Sequence, residues 1–367
     1  MEQELKIEDL GWDEFFASNQ KKFGLDGFQV ARVIAEHRGA YKVKNASGEY
    51  SAKITGKQMF NANSREDFPA VGDWVAITEA DKERAVIKSI LPRKTVMKRK
   101  YGDKNMIGEK NETQIIATNI DVAFIIESVE RDYNLNRIER YFAIVTDGGI
   151  KAAAILNKID LIPQKELEAK ISEIKNRLSG IDIIATSTKT GEGLTDLKKY
   201  IVRSQTYCFL GSSGVGKSSL INKLLGEEII KTEEIGERSK RGKHATTGRE
   251  MYFLPEGGIV IDNPGVREVG MTDMGNGVDN IFDEIVILSE NCKFVDCTHV
   301  HEPDCAVLKA VESGQLGEDR YANYIRLKKE TEHFEMTGFE KKEKSRQFGK
   351  FINKAKKDLK NFGHKDY

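Results

Sequence analysis

A glycine-rich segment at residues 211–219, GSSGVGKSS, has the composition and spacing of a loop that binds nucleotide phosphates. Its glycines allow the backbone to curl so that successive N–H groups point towards phosphate oxygens. The ammonium group of Lys217 is expected to contact the β- and γ-phosphates, and the hydroxyl of Ser218 to bind Mg²⁺. The candidate phosphate-binding residues are Gly211, Ser212, Ser213, Gly214, Val215, Gly216, Lys217, Ser218 and Ser219.

A second motif, NKID at residues 157–160, predicts that the bound purine is guanine. The carboxylate of Asp160 can accept hydrogen bonds from guanine N1–H and the 2-amino group, which adenine does not offer in that arrangement. We expect Asn157 to bind the Hoogsteen edge of the base and the stem of Lys158 to lie along the ring. Ser187 and Thr188 resemble the start of the Ser-Ala-Lys loop whose backbone contacts guanine O6, although Thr188 replaces the usual alanine. The two motifs together favour GTP over ATP.

The segment DNPG at residues 262–265 supplies a candidate magnesium and γ-phosphate contact. Asp262 is expected to hold Mg²⁺ through a water molecule, and the N–H of Gly265 to sense the γ-phosphate. A polar stretch before it contains Thr246 and Thr247. One of these hydroxyls is expected to close over Mg²⁺ when the γ-phosphate is present, as in the switch of GTPases, and we favour Thr246.

Val266 stands where many GTPases have the glutamine that orients the attacking water. Valine has no polar group for that task, so hydrolysis is expected to be slow without a partner or another residue. His244 is the nearest candidate to polarise the water, and Lys217 and Thr246 complete the predicted catalytic set. The alternative for His244 is a solvated loop histidine.

Three cysteines and a histidine lie within a short stretch with the spacing of a metal site. The candidate ligands are Cys292, Cys297, His299 and Cys305, and His301 could replace His299. Three thiolates and an imidazole suit a closed, tetrahedral structural Zn²⁺ site. Neither a signal peptide nor a long apolar span is visible, which favours a reducing interior over disulfides.

Short apolar runs precede each nucleotide motif and predict the strands that position it. They lie at residues 152–156, 181–185, 206–210 and 258–261. A helical apolar pattern at 220–225 follows the phosphate loop. The carboxyl ends of parallel strands form one ligand-binding edge, so these motifs are expected to meet there. Because the guanine motif precedes the phosphate loop in the chain, the sequence predicts a circularly permuted GTPase domain.

The N-terminal flank predicts a small β-barrel. Five β-rich runs between residues 28 and 91 are separated by turn sequences. An oligonucleotide-binding (OB-fold) barrel is the favoured fold, with an SH3-like barrel as the alternative. The basic run that begins at Arg93 and continues to Lys100 follows the last strand, and we expect it to contact phosphates.

Charge is distributed unevenly along the 367 residues, although the formal net charge is zero. Residues 26–110 carry 17 Lys and Arg against 11 Asp and Glu, and residues 321–367 carry 13 against 7. Two basic flanks around an acidic centre favour a polyanionic partner such as RNA, while ordinary solvated faces are the alternative. A membrane partner is not expected.

The predicted fold is multidomain. An extension (1–25) precedes an all-β OB-fold RNA-binding barrel (26–100), an α/β circularly permuted P-loop GTPase domain (101–280) and an α-helical zinc-binding domain with a basic tail (281–367). Within the last domain, residues 306–313 and 319–331 are expected to be helices. A short helix packed on the barrel is expected in the aromatic, acidic N-terminal extension.

Seven segments together resemble the ribosome small subunit-dependent GTPase A family. They are HRGAYKV, PAVGDWV, NKIDL, GSSGVGKSSLIN, GKHATT, DNPGVRE and the Cys/His cluster, which cover nearly the whole chain. The family's proposed catalytic histidine corresponds to His244 and its switch threonine to Thr246. Ala245 stands where the family usually has the first of three threonines.

The resemblance implies a cytoplasmic enzyme that hydrolyses GTP to GDP and phosphate, with Mg²⁺ and one structural Zn²⁺. It further implies stimulation by the small (30S) ribosomal subunit and its rRNA, in late maturation of that subunit. A monomer is the expected state. The alternative is an rRNA-binding assembly factor that uses GTP as a conformational ligand, with incidental hydrolysis.

Overall fold

The computed structural model of the chain describes residues 5–37, 40–101, 112–130, 133–230, 249–262, 277–335 and 346. Its strands are β1 (Gln29–His37), β2 (Ala40–Asn45), β3 (Gly48–Ile54), β4 (Trp74–Glu79), β5 (Arg84–Ile90), β6 (Val96–Tyr101), β7 (Glu112–Thr118), β8 (Val122–Ser128), β9 (Lys151–Asn157), β10 (Asp182–Thr186), β11 (Thr206–Leu210), β12 (Arg249–Phe253) and β13 (Ile259–Asp262). Its α-helices are α1 (Glu14–Lys22), α2 (Gly56–Asn61), α3 (Leu135–Asp147), α4 (Gln164–Arg177), α5 (Leu194–Tyr200), α6 (Lys217–Leu225), α7 (Gly277–Ile281), α8 (Asp283–Ser289), α9 (Ala306–Glu312) and α10 (Glu318–Glu335).

Strands β1 to β5 form a closed barrel. β1 pairs with both β2 and β4, and β3 pairs in parallel with β5, so each of the five strands has two neighbours. Side chains alternate between the inside and the outside, as in β2, where Tyr41 and Val43 are buried and Lys42 is exposed. The predicted OB-type barrel is confirmed.

The central sheet is the second part of the fold. Strands β10, β9, β8, β11 and β13 lie side by side in that order and run parallel, and β12 pairs antiparallel with β13. Along β8, Ala123 and Ile125 belong to one hydrophobic cluster, and Phe124 and Ile126 to another. The sheet is therefore covered on both faces, as parallel sheets require, and the predicted α/β domain is confirmed.

Strand β12 joins the barrel to the central sheet. Its first residues pair antiparallel with the end of β1, with Ala35 opposite Glu250 and Glu36 opposite Arg249. The barrel and the central sheet consequently form one continuous ladder of 11 strands.

The C-terminal helices pack on α3 through a buried ionic cluster. Glu139 of α3 is fully buried and accepts hydrogen bonds from Arg320 and Asn323 of α10. The guanidinium of Arg320 also donates to the carbonyl of Ile281 and the carboxylate of Glu284, both at 2.6 Å. These contacts fix α10 to the central domain, and the helices predicted at 306–313 and 319–331 are found as α9 and α10.

Arg93 does not have the surface role predicted for it. Its Nε and Nη2 atoms donate to the buried carboxylate of Asp73 at 2.8 and 2.7 Å, and it also binds the carbonyls of Glu66 and Phe68. Because Asp73 is removed from water, it requires such a partner. Arg93 is therefore a structural residue rather than a phosphate contact.

The N-terminal extension packs on the barrel as predicted. Trp12, just before α1, and Phe16 of α1 pack against the buried indole of Trp74, with ring centroids 4.7 and 5.8 Å away. In the described part of the chain, every helix is too short or too polar to cross a bilayer.

Candidate nucleotide site and metal centre

The phosphate loop connects the end of β11 to the start of α6 and requires glycine at three positions. Gly211, Gly214 and Gly216 have φ angles of +151°, +83° and +99°. A Cβ atom on Gly216 would lie 2.2 Å from the amide nitrogen of Asn157, and one on Gly211 would lie 2.3 Å from the carbonyl oxygen of Ile126. A side chain at either position would thus collide with a neighbouring segment.

Lys217 begins α6 and folds back over the loop. Its Nζ donates to the carbonyl oxygens of Gly211 and Ser212 at 2.7 and 2.6 Å. Ser218 and Ser219 follow in the first turn of the helix and are half-buried. The positive end of the α6 dipole and an ammonium group therefore lie together at this loop, which suits a bound phosphate.

Asn157 ties the guanine motif to the phosphate loop. It is fully buried at the end of β9, its Nδ2 donates to the carbonyl of Val215 at 2.8 Å, and its Oδ1 accepts from the hydroxyl of Thr186 at 3.1 Å. Sequence reasoning assigned Asn157 to the edge of the base. The structure adds a tethering role, which joins two motifs that are 58 residues apart in the chain.

Asp160 is oriented by the neighbouring loop. The hydroxyl of Ser187 donates to Oδ1 of Asp160 at 2.6 Å and accepts from the N–H groups of Lys189 and Thr190 at 3.2 and 3.1 Å. Ser187 therefore holds the predicted base-reading carboxylate next to its own loop. Thr188 is half-buried in the same loop.

Glu130 is a site residue that the sequence analysis missed. Lys158 has a left-handed backbone, with φ of +65°, and its Nζ pairs with Oε2 of Glu130. The hydrogen bond from Lys158 lowers the pKa of the Glu130 carboxyl. The sequence offered one signal for Glu130, namely that it is an acidic residue just beyond the buried strand β8, at the same edge of the sheet.

Asp262 ends β13 and lies at the carboxyl edge shared by β8, β9, β10 and β11. The structure therefore brings the phosphate loop, the guanine motif and this carboxylate to one edge. The other predicted switch and catalytic residues lie outside the described residues. They are His244, Thr246, Thr247 and Gly265, and Val266, which stands in place of the water-orienting glutamine, lies outside them as well.

The four predicted metal ligands converge between α8 and α9. The ligand atoms of Cys292, Cys297, His299 and Cys305 all lie within 4.8 Å of one another. Sγ of Cys292 is 3.8 Å from Sγ of Cys305, and Nδ1 of His299 is 3.6 and 3.5 Å from these two sulfurs. The described residues thus place His299, and not His301, in this group.

These separations fit a tetrahedral zinc ion. Bonds of about 2.3 Å to sulfur and about 2.1 Å to nitrogen place two sulfurs about 3.8 Å apart and a sulfur and a nitrogen about 3.6 Å apart. His299 has φ of +60°, and its carbonyl accepts from the hydroxyl of Tyr321 at 2.7 Å, so the surrounding fold holds the ligand in a strained conformation. Burial opposes ionisation of Cys292, but hydrogen bonds, first those from the N–H groups of Ala306 and Val307, outweigh it and lower the pKa of the thiol.

Comparison with known proteins identifies close sequence relatives. Residues 90–272 match the family model described as RsgA GTPase. The small ribosomal subunit biogenesis GTPase RsgA 2 of Lactiplantibacillus plantarum is 42% identical over 83% of this chain and 84% of its own length. RsgA 1 of Bacteroides thetaiotaomicron is 35% identical over 96% of this chain and 97% of its own length.

Two solved structures share the architecture. The crystal structure of YjeQ from Thermotoga maritima matches with a TM-score of 0.58 and 26% identity, over 83% of this chain and 98% of YjeQ. YloQ, described as a circularly permuted GTPase, matches with a TM-score of 0.57 and 24% identity, over 84% of this chain and 97% of YloQ, and supports the fold alone.

Proposed function

The chain belongs to the RsgA GTPase family, and we propose that the small (30S) ribosomal subunit stimulates its hydrolysis of GTP to GDP and phosphate during late maturation of that subunit. Relatives that share most of its length are named for small ribosomal subunit biogenesis. The observation that carries the proposal is the bond from Asn157 to Val215, which joins a guanine motif and a phosphate loop into one site.

The proposal gives the following roles to the residues that bind phosphate, guanine, Mg²⁺ and the attacking water. Lys217 and the loop N–H groups bind the phosphates. Asp160, which is held in place by the hydroxyl of Ser187, accepts hydrogen bonds from the guanine edge. Ser218, Thr246 and Asp262 would hold Mg²⁺, which neutralises charge on the β- and γ-phosphates. His244 would orient the attacking water in place of the missing glutamine.

The cysteine and histidine group is proposed as a structural zinc site. With all four positions taken by protein ligands, the site has no open position for a substrate. It would close the segment between α8 and α9 and keep Tyr321 of α10 against it.

The proposal also includes the domain limits 1–25, 26–100, 101–280 and 281–367, a cytoplasmic location and a monomeric state.

The barrel is proposed as an RNA-binding surface. Lys53, Lys57 and Lys88 are exposed at the side of the barrel where Gln58 of α2 donates to the carbonyl of Lys88. Phe60 of α2 is 89% exposed. Exposed cations beside an exposed aromatic ring suit a chain of phosphates with unstacked bases.

GTP turnover with and without purified small ribosomal subunits tests the proposal, with ATP as the nucleotide control. Subunits should raise turnover of GTP by at least about tenfold and leave ATP unchanged. Lys217→Ala should lower turnover by about a hundredfold or more, because a positioned cation at the phosphates is removed. Lys223→Ala, an exposed lysine on the same helix, is the matched control.

The same experiment separates the second candidate, an RNA-binding factor for which GTP is a conformational ligand. Val266 in place of a water-orienting glutamine is the observation that favours it. Slow turnover that small subunits leave unchanged, despite tight subunit binding, would support that reading. Failure to bind subunits in every nucleotide state would contradict both functions.

A further inference from the structure

Strand β12 is shared by the barrel and the nucleotide site. On one side Glu250 pairs with Asp262, the predicted magnesium carboxylate, and on the other side it pairs with Ala35 of the barrel strand β1. Neighbouring strands are about 4.8 Å apart, so two strand spacings, about 10 Å, separate the barrel from Asp262. The hydrogen-bonded strands β1, β12 and β13 therefore link the barrel to Asp262.

An ion pair and a histidine–carboxylate contact lie at this junction. Arg249 lies opposite Glu36, with Nη1 3.6 Å from Oε2, and the same Nη1 donates to the carbonyl of Ile115 at 3.0 Å. The side chain of Arg249 is only 15% exposed, so solvent screens this pair weakly. Nε2 of His37 lies 3.6 Å from Oε1 of Glu250 in the second contact, which is more exposed.

The opposite end of the contact between barrel and sheet is held by hydrogen bonds of a buried arginine. Arg32 of β1 is buried, and its Nη2 donates to the hydroxyl of Thr206 at 2.8 Å and to the carbonyl of Asn119 at 3.1 Å. Thr206 is at the amino end of β11, about 13 Å from the phosphate loop at the other end of that strand. β1 is thus anchored at Arg32, and its far end meets β12 beside the nucleotide edge.

That far end of β1 is also next to a loop used for recognition in barrels of this type. β1 ends at His37 and β2 begins at Ala40, so Glu36 is the last but one residue of β1 before the first hairpin connection of the barrel. In OB folds this connection and the faces of the second and third strands contact oligonucleotides. A nucleic acid that shifts this end of β1 would move β12 with it.

We propose that the pairing of β1 with β12 couples the barrel to the magnesium edge, and that Glu36 and Arg249 are positioning residues through which RNA bound at the barrel raises GTP hydrolysis. This inference rests on the proposed function. The proposed coupling includes nucleotide binding, for which coupling between two sites is reciprocal, so a bound GTP analogue is expected to alter the barrel end of this contact. Both residues lie on the strands that join the barrel to Asp262, and they transmit the effect of bound RNA through β12.

Glu36→Gln tests the coupling because it removes the charge and keeps the shape. Stimulation by small subunits should fall by about tenfold, whereas unstimulated turnover, nucleotide affinity and subunit affinity should stay within about twofold. Asp81→Asn is the matched control, since it neutralises an exposed ion pair with Arg84 in the same barrel. A double variant that exchanges the two charges, Glu36→Arg with Arg249→Glu, should recover part of the stimulation.

Two results of this experiment would overturn the inference. One is full stimulation of Glu36→Gln. The other is a fall in unstimulated turnover equal to the fall in stimulated turnover, which would mark a merely structural role.

Hydrogen exchange provides a test that needs no ribosomal subunit and does not depend on the charge-exchange variant folding. Amides at residues 35–37 should exchange at least about threefold more slowly with a non-hydrolysable GTP analogue than with GDP, both with Mg²⁺. Arg249→Met should abolish that difference. Equal exchange in both nucleotides would refute the coupling. A nucleotide-dependent difference in a protein that subunits do not stimulate would refute the proposed function and leave the coupling intact.

Discussion

At the scale of the residue, the nucleotide site is held by short polar contacts between loops. Ser187 binds Asp160, Asn157 binds the phosphate loop, and Glu130 binds Lys158. Each contact fixes a side chain before any ligand arrives, which reduces the entropy lost on binding. The guanine pocket is therefore built from residues that restrain one another.

Asp160→Asn should change the purine that the site accepts. An amide donates where guanine N1–H and the 2-amino group also donate, so GTP affinity should fall by about a hundredfold. Xanthine has a carbonyl at that position, and xanthosine triphosphate should bind better to the variant than GTP does. Equilibrium binding of both nucleotides measures the change, with the exposed Asp196→Asn as control. Unaltered preference for GTP would show that Asp160 does not read the base.

At the scale of the element, the fold places polar motifs at strand ends and leaves one short helix exposed. Strands β8, β9, β11 and β13 deliver Glu130, Asn157, the phosphate loop and Asp262 to a common edge. Helix α2 does not contribute to the hydrophobic core, because none of its residues is buried. Because α2 contributes nothing to the core and exposes Phe60, it is the part of the barrel that we propose contacts RNA.

Phe60→Ala should weaken binding to small ribosomal subunits by about tenfold, since one stacked base contributes about 1–3 kcal/mol. Stability should change by less than about 0.5 kcal/mol because the ring is exposed. Filter binding and thermal unfolding measure the two effects. Phe23→Ala, an exposed aromatic at the end of α1, is the control. Equal losses from both variants would argue against a specific contact at α2.

At the scale of the whole molecule, two different kinds of junction attach the flanking regions to the central sheet. The barrel is joined by strand pairing between β1 and β12, and the C-terminal helices by the Glu139 cluster on α3. The buried Glu139 is satisfied by several donors, and loss of one partner of a buried pair costs about 3–5 kcal/mol. Helix α10 is thereby fixed to α3.

Zinc should be required to maintain this arrangement. His299→Asn should reduce zinc affinity by at least about a hundredfold and lower the unfolding temperature of the C-terminal helices, because folding and metal binding are linked. His301→Asn should retain one zinc per chain. Metal analysis and thermal unfolding with and without a chelator measure both outcomes. Zinc loss in the His301 variant alone would reverse the assignment of the fourth ligand.

The sequence alone determined the features that depend on neighbouring residues. The phosphate loop, the guanine motif, the five barrel strands and helices α9 and α10 follow from glycine spacing, hydrogen-bonding groups and the period of apolar residues. The permuted order follows because the order of motifs is itself a property of the sequence.

Which distant groups meet depends on how the elements pack together. In the folded chain Arg93 points inward to Asp73, and Lys158 pairs with Glu130. His299, and not His301, lies with the three cysteines, and β1 pairs with β12. A basic run has the same sequence pattern whether it faces solvent or a buried carboxylate. The difference lies in the cost of an unpaired buried charge, which arises only when packing has excluded water from it.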